Sequence, residues 1–316
     1  MQGTPALTVG EGKSDQVVMR KPLKVLSHIF GQGSADVDHR FDLFFGHDEL
    51  RLLVQLHRVC MKKNYASCRL LCLNSTMSLH QQFDQAAHDH STVVLETFHA
   101  LKHAVRFGAE IEMVVTDDSE KLTELTQTLA PDIAGKFDVE TVAPEVFNTL
   151  SPRTLESHVI AIAKRSPYAL SDILSRDGRI VLLDNPTHAG NVGACIRVVA
   201  ARGVAGVAIL GDIDPWHPTV VRGAAGLQYA VPVVRVDDAQ DILSTSRPCI
   251  AFHEQGTPLP EATIPNDAIL VFGSERRGIS PELRTHATQT VMIPMQKGVS
   301  SLNLATSVAI ALYCTG

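Results

Sequence analysis

The 316-residue sequence has no long apolar run. Its apolar tracts, such as Val204 to Leu210 and Val308 to Tyr313, fall far short of the roughly 20 residues that a membrane helix needs. No membrane association is therefore expected. The first twenty residues include Glu11 and Asp15 and lack an apolar core, so neither a secretory signal nor a transit peptide is expected there. They read as a flexible tail, and the protein reads as cytoplasmic. The six cysteines form no C-x-x-C pair, and reduced, partly buried thiols are their simplest state. No compact His/Cys set has the spacing of zinc ligands; nine of the fourteen histidines are scattered before residue 104. No metal is expected. There is no G-x-x-x-x-G-K-[ST] loop and no early G-x-G-x-x-G after a strand, which removes the usual support for a nucleotide-binding enzyme. A formal charge of −6 argues against coating nucleic acid by bulk electrostatics, while leaving room for local basic patches.

What is present is an ordinary globular balance, 45% hydrophobic and 20% charged, in a chain long enough for two domains. Residues 21–95 form an extension of unknown role. Within it Leu52, Leu53, Leu56 and Val59 fall on one face of a helix over Glu49 to Met61. Arg58, Lys62, Lys63 and Tyr65 cluster at its end, as a solvated helix terminus or an RNA contact. Residues 96–168 alternate helices and strands, in a small α/β domain. The pattern predicts a helix over Glu96 to Phe107, a strand over Ile111 to Val115 and a helix capped by Asp117, Asp118 or Ser119. It continues with a strand at Phe137 to Val142, a short helix at Pro144 to Leu150 and a strand at His158 to Ala163. A linker is expected near Ser166 to Asp177. From 169 to 316 strands alternate regularly with helices, which implies a mainly parallel sheet covered on both faces.

Three segments of this last zone place glycines and polar groups at the C-terminal ends of strands, where α/β sheets bind ligands. The first, Asn185-Pro-Thr-His-Ala-Gly-Asn-Val-Gly-Ala-Cys-Ile-Arg197, leads from a strand into a helix. Asn191 there is either a helix cap or a site residue, and Arg197 either a surface ion-pair residue or a site residue. The second, Leu270-Val-Phe-Gly-Ser-Glu-Arg-Arg-Gly-Ile279, holds the carboxylate of Glu275 between Gly273 and Gly278. The third, Ile293-Pro-Met-Gln-Lys-Gly-Val-Ser-Ser-Leu-Asn-Leu304, ends in a Ser301-Leu302-Asn303 cap whose helix amides suit an anion or a hydroxyl.

The ordered set resembles the SpoU/TrmH family of the SPOUT superfamily of RNA methyltransferases. Asn191-x-Gly193 with Arg197 is similar to that family's first motif, Gly273-x-Glu275-x-x-Gly278 to its second, and Ile293-Pro-Met with Ser301-Leu-Asn303 to its third. Two departures stand out: His188-Ala189 where an Asp-Pro pair is common, and Ala305 where a serine often follows. The preceding zone is similar, through Phe98-His-Ala-Leu-Lys-His-Ala104, Val146-Phe147 and Val159-Ile-Ala-Ile-Ala163, to a substrate-binding domain folded like ribosomal protein L30e.

The resemblance implies an α/β protein with a knotted (trefoil), mainly parallel SPOUT domain at its C-terminus and an L30e-like domain before it. It implies S-adenosylmethionine as cofactor, held by Gly273, Ile293 and Leu302 with Gly278 and Met295. The expected reaction is methylation of a ribose 2′-hydroxyl in structured rRNA or tRNA, by a homodimer formed through the C-terminal domain. A ribose hydroxyl is a poor nucleophile, and a guanidinium is an unlikely simple base. Arg197, supplied by the partner protomer, is therefore expected to clamp the adjoining phosphate and stabilise the developing alkoxide. Asn191 and Glu275 would orient it, while Ser301 and Asn303 position the nucleotide. Two other readings stay open: a catalytically silent RNA-binding module on the same fold, and a nucleotide-binding α/β enzyme of unrelated chemistry.

Overall fold

The structure, a computed structural model, describes residues 77–315. The expected tail (1–20), the helix at Glu49 to Met61 and its basic-aromatic cluster lie outside the described residues, as does most of the 21–95 extension. From Leu79 onward the chain forms one compact unit. It opens with α1 (Leu79–His88), β1 (Thr92–Leu95) and α2 (Phe98–Arg106), then β2 (Ile111–Thr116) and α3 (Ser119–Leu129). β3 (Glu140–Thr141), α4 (Pro144–Phe147) and β4 (Val159–Lys164) complete a four-stranded sheet of order β1-β4-β2-β3. Local chemistry sets the helix starts. Thr97 and Asp118 turn their side chains onto the amides of Ala100 and Lys121, as N-caps do.

This sheet starts before residue 96, because β1 pairs antiparallel with β4, Leu95 opposite Ala161. The boundary expected at 96 thus cuts through the sheet. The strand expected over Phe137 to Val142 shrinks to Glu140 and Thr141, which pair with β2, and the Val142 amide adds one more bond to Thr116 O. The expected linker also contains a helix, α5 (Leu170–Leu174), whose Ile173 is fully buried.

The second sheet has six strands: β5 (Ile180–Asp184), β6 (Gly206–Leu210), β7 (Val233–Val236), β8 (Cys249–Pro258), β9 (Ile269–Gly273) and β10 (Gln289–Met292). Its order is β10-β8-β9-β5-β6-β7, and every neighbouring pair is parallel. Side chains alternate between faces, so each strand feeds two cores. Val181, Leu183, Val207 and Ile209 pack under α6 (Ala189–Arg202), α7 (Pro218–Ala224) and α10 (Leu304–Cys314). Ile180, Leu182, Ala208 and Leu210 pack under α5, α8 (Gln240–Leu243) and α9 (Pro281–His286).

The two sheets share a core. Trp216, Val221 and Tyr229, from the larger lobe, belong to the same apolar cluster as Val93, Leu95, Phe98 and Leu101 of the smaller. The Trp216 and Tyr229 rings meet edge-on at 5.1 Å, and the Tyr229 hydroxyl donates to Lys164 O at 2.6 Å. Arg165 donates to Thr92 O and to Asp214, and Arg222 to Glu96. Burial of this kind, at roughly 1.5–3 kcal/mol per large apolar side chain, leaves no loose hinge between the lobes.

Ile173 tests whether the segment between them is structural. Ile173→Ala is expected to lower unfolding free energy by about 2–5 kcal/mol in urea, as for a filled core site. A change within about 0.5 kcal/mol would restore the reading of this segment as a loose linker.

Candidate active site

The site is assembled where β5, β9 and β10 end. β5 is apolar until its last residue, and that residue, Asp184, is only 1% exposed. Its carboxylate accepts from the Ser280 amide at 2.6 Å and from Asn185 Nδ2 at 2.8 Å. The end of β5 is thereby tied to the segment that follows β9. Ser280, the N-cap of α9, makes no side-chain cap, so its role here is played by its backbone.

β9 ends at Gly273, in register with Asp184. The chain then folds back on itself: Ser274 and Gly278 exchange backbone hydrogen bonds of 3.1 and 3.0 Å. A Cβ on Gly273 would stand 2.1 Å from Gly278 C and 2.2 Å from Ile279 N. Glycine is required there by the returning chain itself. The space beside Gly273 is filled by the Gly278–Ile279 peptide, so that glycine keeps the turn closed and not a ligand cavity open.

The turn presents Glu275, which is half-buried. Its Oε1 accepts from Asn191 Nδ2 at 2.6 Å; its Oε2 accepts from the Thr187 hydroxyl at 2.8 Å and the Thr187 amide at 3.1 Å. Asn191 Oδ1 in turn accepts from Asn303 Nδ2 at 2.9 Å. Asn303 Oδ1 caps α10, accepting from the Ala305 and Thr306 amides. The polarity of the chain is forced. A carboxylate only accepts, so Asn191 must turn its amide nitrogen to Glu275 and its oxygen to Asn303.

Asn191, Glu275 and Asn303 are thus brought together, one from each motif. Asn191 is not the cap of α6; His188 holds that position without a side-chain cap, and Asn191 lies in the first turn. Its side chain is left for Glu275. Arg197 is not brought to this cluster within the protomer. It is exposed, and its guanidinium makes no hydrogen bond or ion pair with the described residues. Asn191 and Glu275 do not touch it within one chain. Ser301 and Leu302 are exposed, and Met295 is half-buried. Ile293 packs against the core beside Leu304.

Sequence reasoning missed Asp184 and Thr187. Asp184 carried a signal, a lone charge closing an apolar strand. Thr187 carried none, since its partner is 88 residues away.

The loop after β10 fits a purine nucleoside in its chemistry. Between Pro294 and Leu302 the described residues make a single backbone hydrogen bond, Val299 N to Gln296 O. Peptide donors and acceptors remain available beside the apolar side chains of Ile293, Met295 and Leu302. An adenine needs both, polar partners for its edge and apolar contact for its faces.

The profile of the SpoU rRNA Methylase family matches residues 178–313. A 23S rRNA adenosine 2′-O-methyltransferase of Streptomyces laurentii is 30% identical over 240 residues, spanning 70% of this chain and 84% of its own. The chain belongs to the SpoU methylase family. A 23S rRNA uridine 2′-O-methyltransferase of Streptomyces viridochromogenes is 26% identical, over 66% of this chain and 77% of that protein. The crystal structure of the SpoU methyltransferase AviRb from the same organism, in complex with AdoMet, superposes with a TM-score of 0.63. It is 24% identical and is covered over 96% of its length by 75% of this chain. The fold shared with that structure accounts for the parallel sheet.

Burial raises the proton affinity of Glu275, but hydrogen bonds from Asn191, its own backbone and Thr187 outweigh it and hold the carboxyl at about 2. A folded-state value below the unfolded one stabilises the protein above the ordinary value of 4.5, and that contribution is lost as pH falls from there toward 2. The stability advantage of wild type over Glu275→Gln is expected to be constant above about pH 5 and to narrow below it, in denaturant titrations at stepped pH. An advantage that stays constant down to about pH 3 would show that the carboxylate is not held by these donors.

Proposed function

We propose that this SpoU-family enzyme transfers a methyl group from S-adenosylmethionine to a ribose 2′-hydroxyl of structured RNA. The observation that carries the proposal is the Glu275–Asn191–Asn303 network, which ties the family's three motifs into one cluster at the ends of β5, β9 and β10. Ribosomal RNA, named for the relatives, is favoured over transfer RNA as substrate. The enzyme acts in the cytoplasm as a homodimer joined through its C-terminal domain. The C-terminal chain forms the family's trefoil knot, and the lobe built on β1 to β4 is an L30e-like RNA-binding domain.

When bound, the cofactor supplies an activated methyl group. The backbones of Gly273, Gly278, Ile293 and Leu302, with the Met295 side chain, would hold its adenosine. This chain's own residues do the rest. Arg197 of the partner subunit clamps the phosphate beside the target and stabilises the alkoxide that develops as the hydroxyl loses its proton. Because it is drawn from the partner, its lack of a bond to its own chain's Asn191 and Glu275 is the expected arrangement. Asn191 and Glu275 shape the wall that receives it. Ser301 and Asn303 position the nucleotide. The complete Asn191, Arg197, Glu275 and Asn303 set argues against a silent RNA-binding module. Label from methyl-labelled S-adenosylmethionine should enter ribosomal RNA; none entering any RNA would overturn the proposal.

Arg197→Ala should leave cofactor affinity nearly intact and lower kcat about a hundredfold or more, as for loss of a transition-state contact. Arg197→Lys should rescue little, since lysine keeps the charge and loses the planar fork. Mixing Arg197→Ala with a variant unable to bind cofactor should restore roughly a quarter of wild-type activity, because random exchange gives about half heterodimers with one intact site each. An inactive mixture after verified exchange would place Arg197 in its own protomer's site.

A further inference from the structure

The described residues contain a second concentration of chemistry, away from the Glu275 network. It lies where α2 of the smaller lobe meets α6 and α7 of the larger. α6 and α7 are in direct backbone contact, so close that a Cβ on Gly193 would stand 2.5 Å from Val220 O. Arg197 is one helical turn beyond Gly193, on the same side of α6. Just past α7, Ala225 O accepts from His103 Nδ1 of α2 at 2.7 Å. This chain of contacts sets α2 beside the exposed end of Arg197.

On α2, His99, Lys102 and Arg106 are spaced so as to share one face, i, i+3 and i+7. Arg106 is neutralised by Asp132, to which its Nε donates at 2.7 Å. His99, Lys102 and Arg197 are not: none makes an ion pair or side-chain hydrogen bond with a described residue. Their proximity is felt electrostatically. Burial first, then the charges of Lys102 and Arg197, lower the proton affinity of His99. Burial, then Arg106 and Arg197, do the same to Lys102 against the opposing pull of Asp132. Lys102 and Arg197, cations without an ion pair among the described residues, are like charges brought together from the two lobes, an arrangement that an anion would relieve.

We propose that His99, Lys102 and Arg197 of one protomer form a single phosphate clamp, spanning both lobes, that grips the RNA backbone next to the nucleotide being methylated. The proposal rests on the reading of RNA as substrate and extends it. The group assigned to the reaction and the groups that fix the RNA register belong to one surface, and the shared core of Trp216, Val221 and Tyr229 keeps them at a constant spacing. Lys102 and His99 are positioning residues in this scheme. They hold phosphates and carry no sequence information.

The test uses full-length protein and protein-free 23S ribosomal RNA in filter binding between 50 and 200 mM salt, concentrations over which phosphate contacts dominate the change in affinity. Lys102→Ala should weaken binding several-fold at low salt and lower the slope of log K against log salt by about one. Lys102→Arg should restore both. Arg106→Ala, whose charge is already engaged by Asp132, should move the slope far less. The His99→Ala/Lys102→Ala double variant should bind more weakly than either single one, with a melting temperature close to wild type. If Lys102→Ala and the double variant match wild type in affinity and slope while wild type methylates RNA, the clamp is overturned and the RNA reading survives. If wild type neither binds nor methylates RNA, both fall.

Discussion

The partly buried carboxylate of Glu275 is the constraint on which the site depends. Three donors from two residues converge on its two oxygens, and one of those residues, Asn191, passes the connection on to Asn303. Hydrogen bonds to a charged acceptor are roughly twice as strong as neutral ones, and the half-buried setting screens them less than open water would. They are needed because the segments they join are loops at strand ends, separated by 84 to 112 residues of chain. Without that tie, the turn after β9 would be bonded to itself through Ser274 and Gly278 but not through Glu275 to the loops after β5 and before α10. The buried Asp184 supplies the same kind of fastening one layer deeper, between β5 and the Ser280 amide.

A rigid frame is the second requirement. The two sheets are not beads on a linker: Trp216 and Tyr229 complete the core of the smaller lobe, and α5 fills the segment between them. Arg179, only 8% exposed, fastens the end of the chain in the same spirit, donating to Ile264 O, Pro265 O, Asn266 and Thr315. A methyl transfer that selects one hydroxyl in a large RNA benefits from surfaces that cannot shift against one another. Misplacement by about 1 Å can cost on the order of a hundredfold in rate.

Much of the larger lobe was legible in the sequence because its signals are local. Apolar strands, glycine turns and capping residues recur at short range, and Asn303 is a cap in the structure as its neighbours suggest. What escaped was nonlocal or short. β1 is recognisable only through its pairing with β4, 66 to 72 residues on, and α5 is a five-residue helix recognisable only through the burial of Ile173. Asn191 was ambiguous because capping and site roles use the same side chain. In the structure its side chain is no cap and donates to Glu275, 84 residues away. Gly273 is demanded by the chain's own return at Gly278 and Ile279, a closeness that no local pattern encodes.

The central claim, that the Glu275 network builds the cofactor-binding end of the sheet, is tested most directly by calorimetric titration of Glu275→Gln with S-adenosylmethionine. A glutamine matches the shape but replaces one accepting oxygen with a donor, which must then face either Asn191 or Thr187 donor to donor. With the fold intact by circular dichroism, affinity is expected to fall about tenfold or more, the equivalent of losing one or two charged hydrogen bonds. Binding as tight as wild type would contradict the account, and would show that the loops around the cofactor hold their shape without this carboxylate.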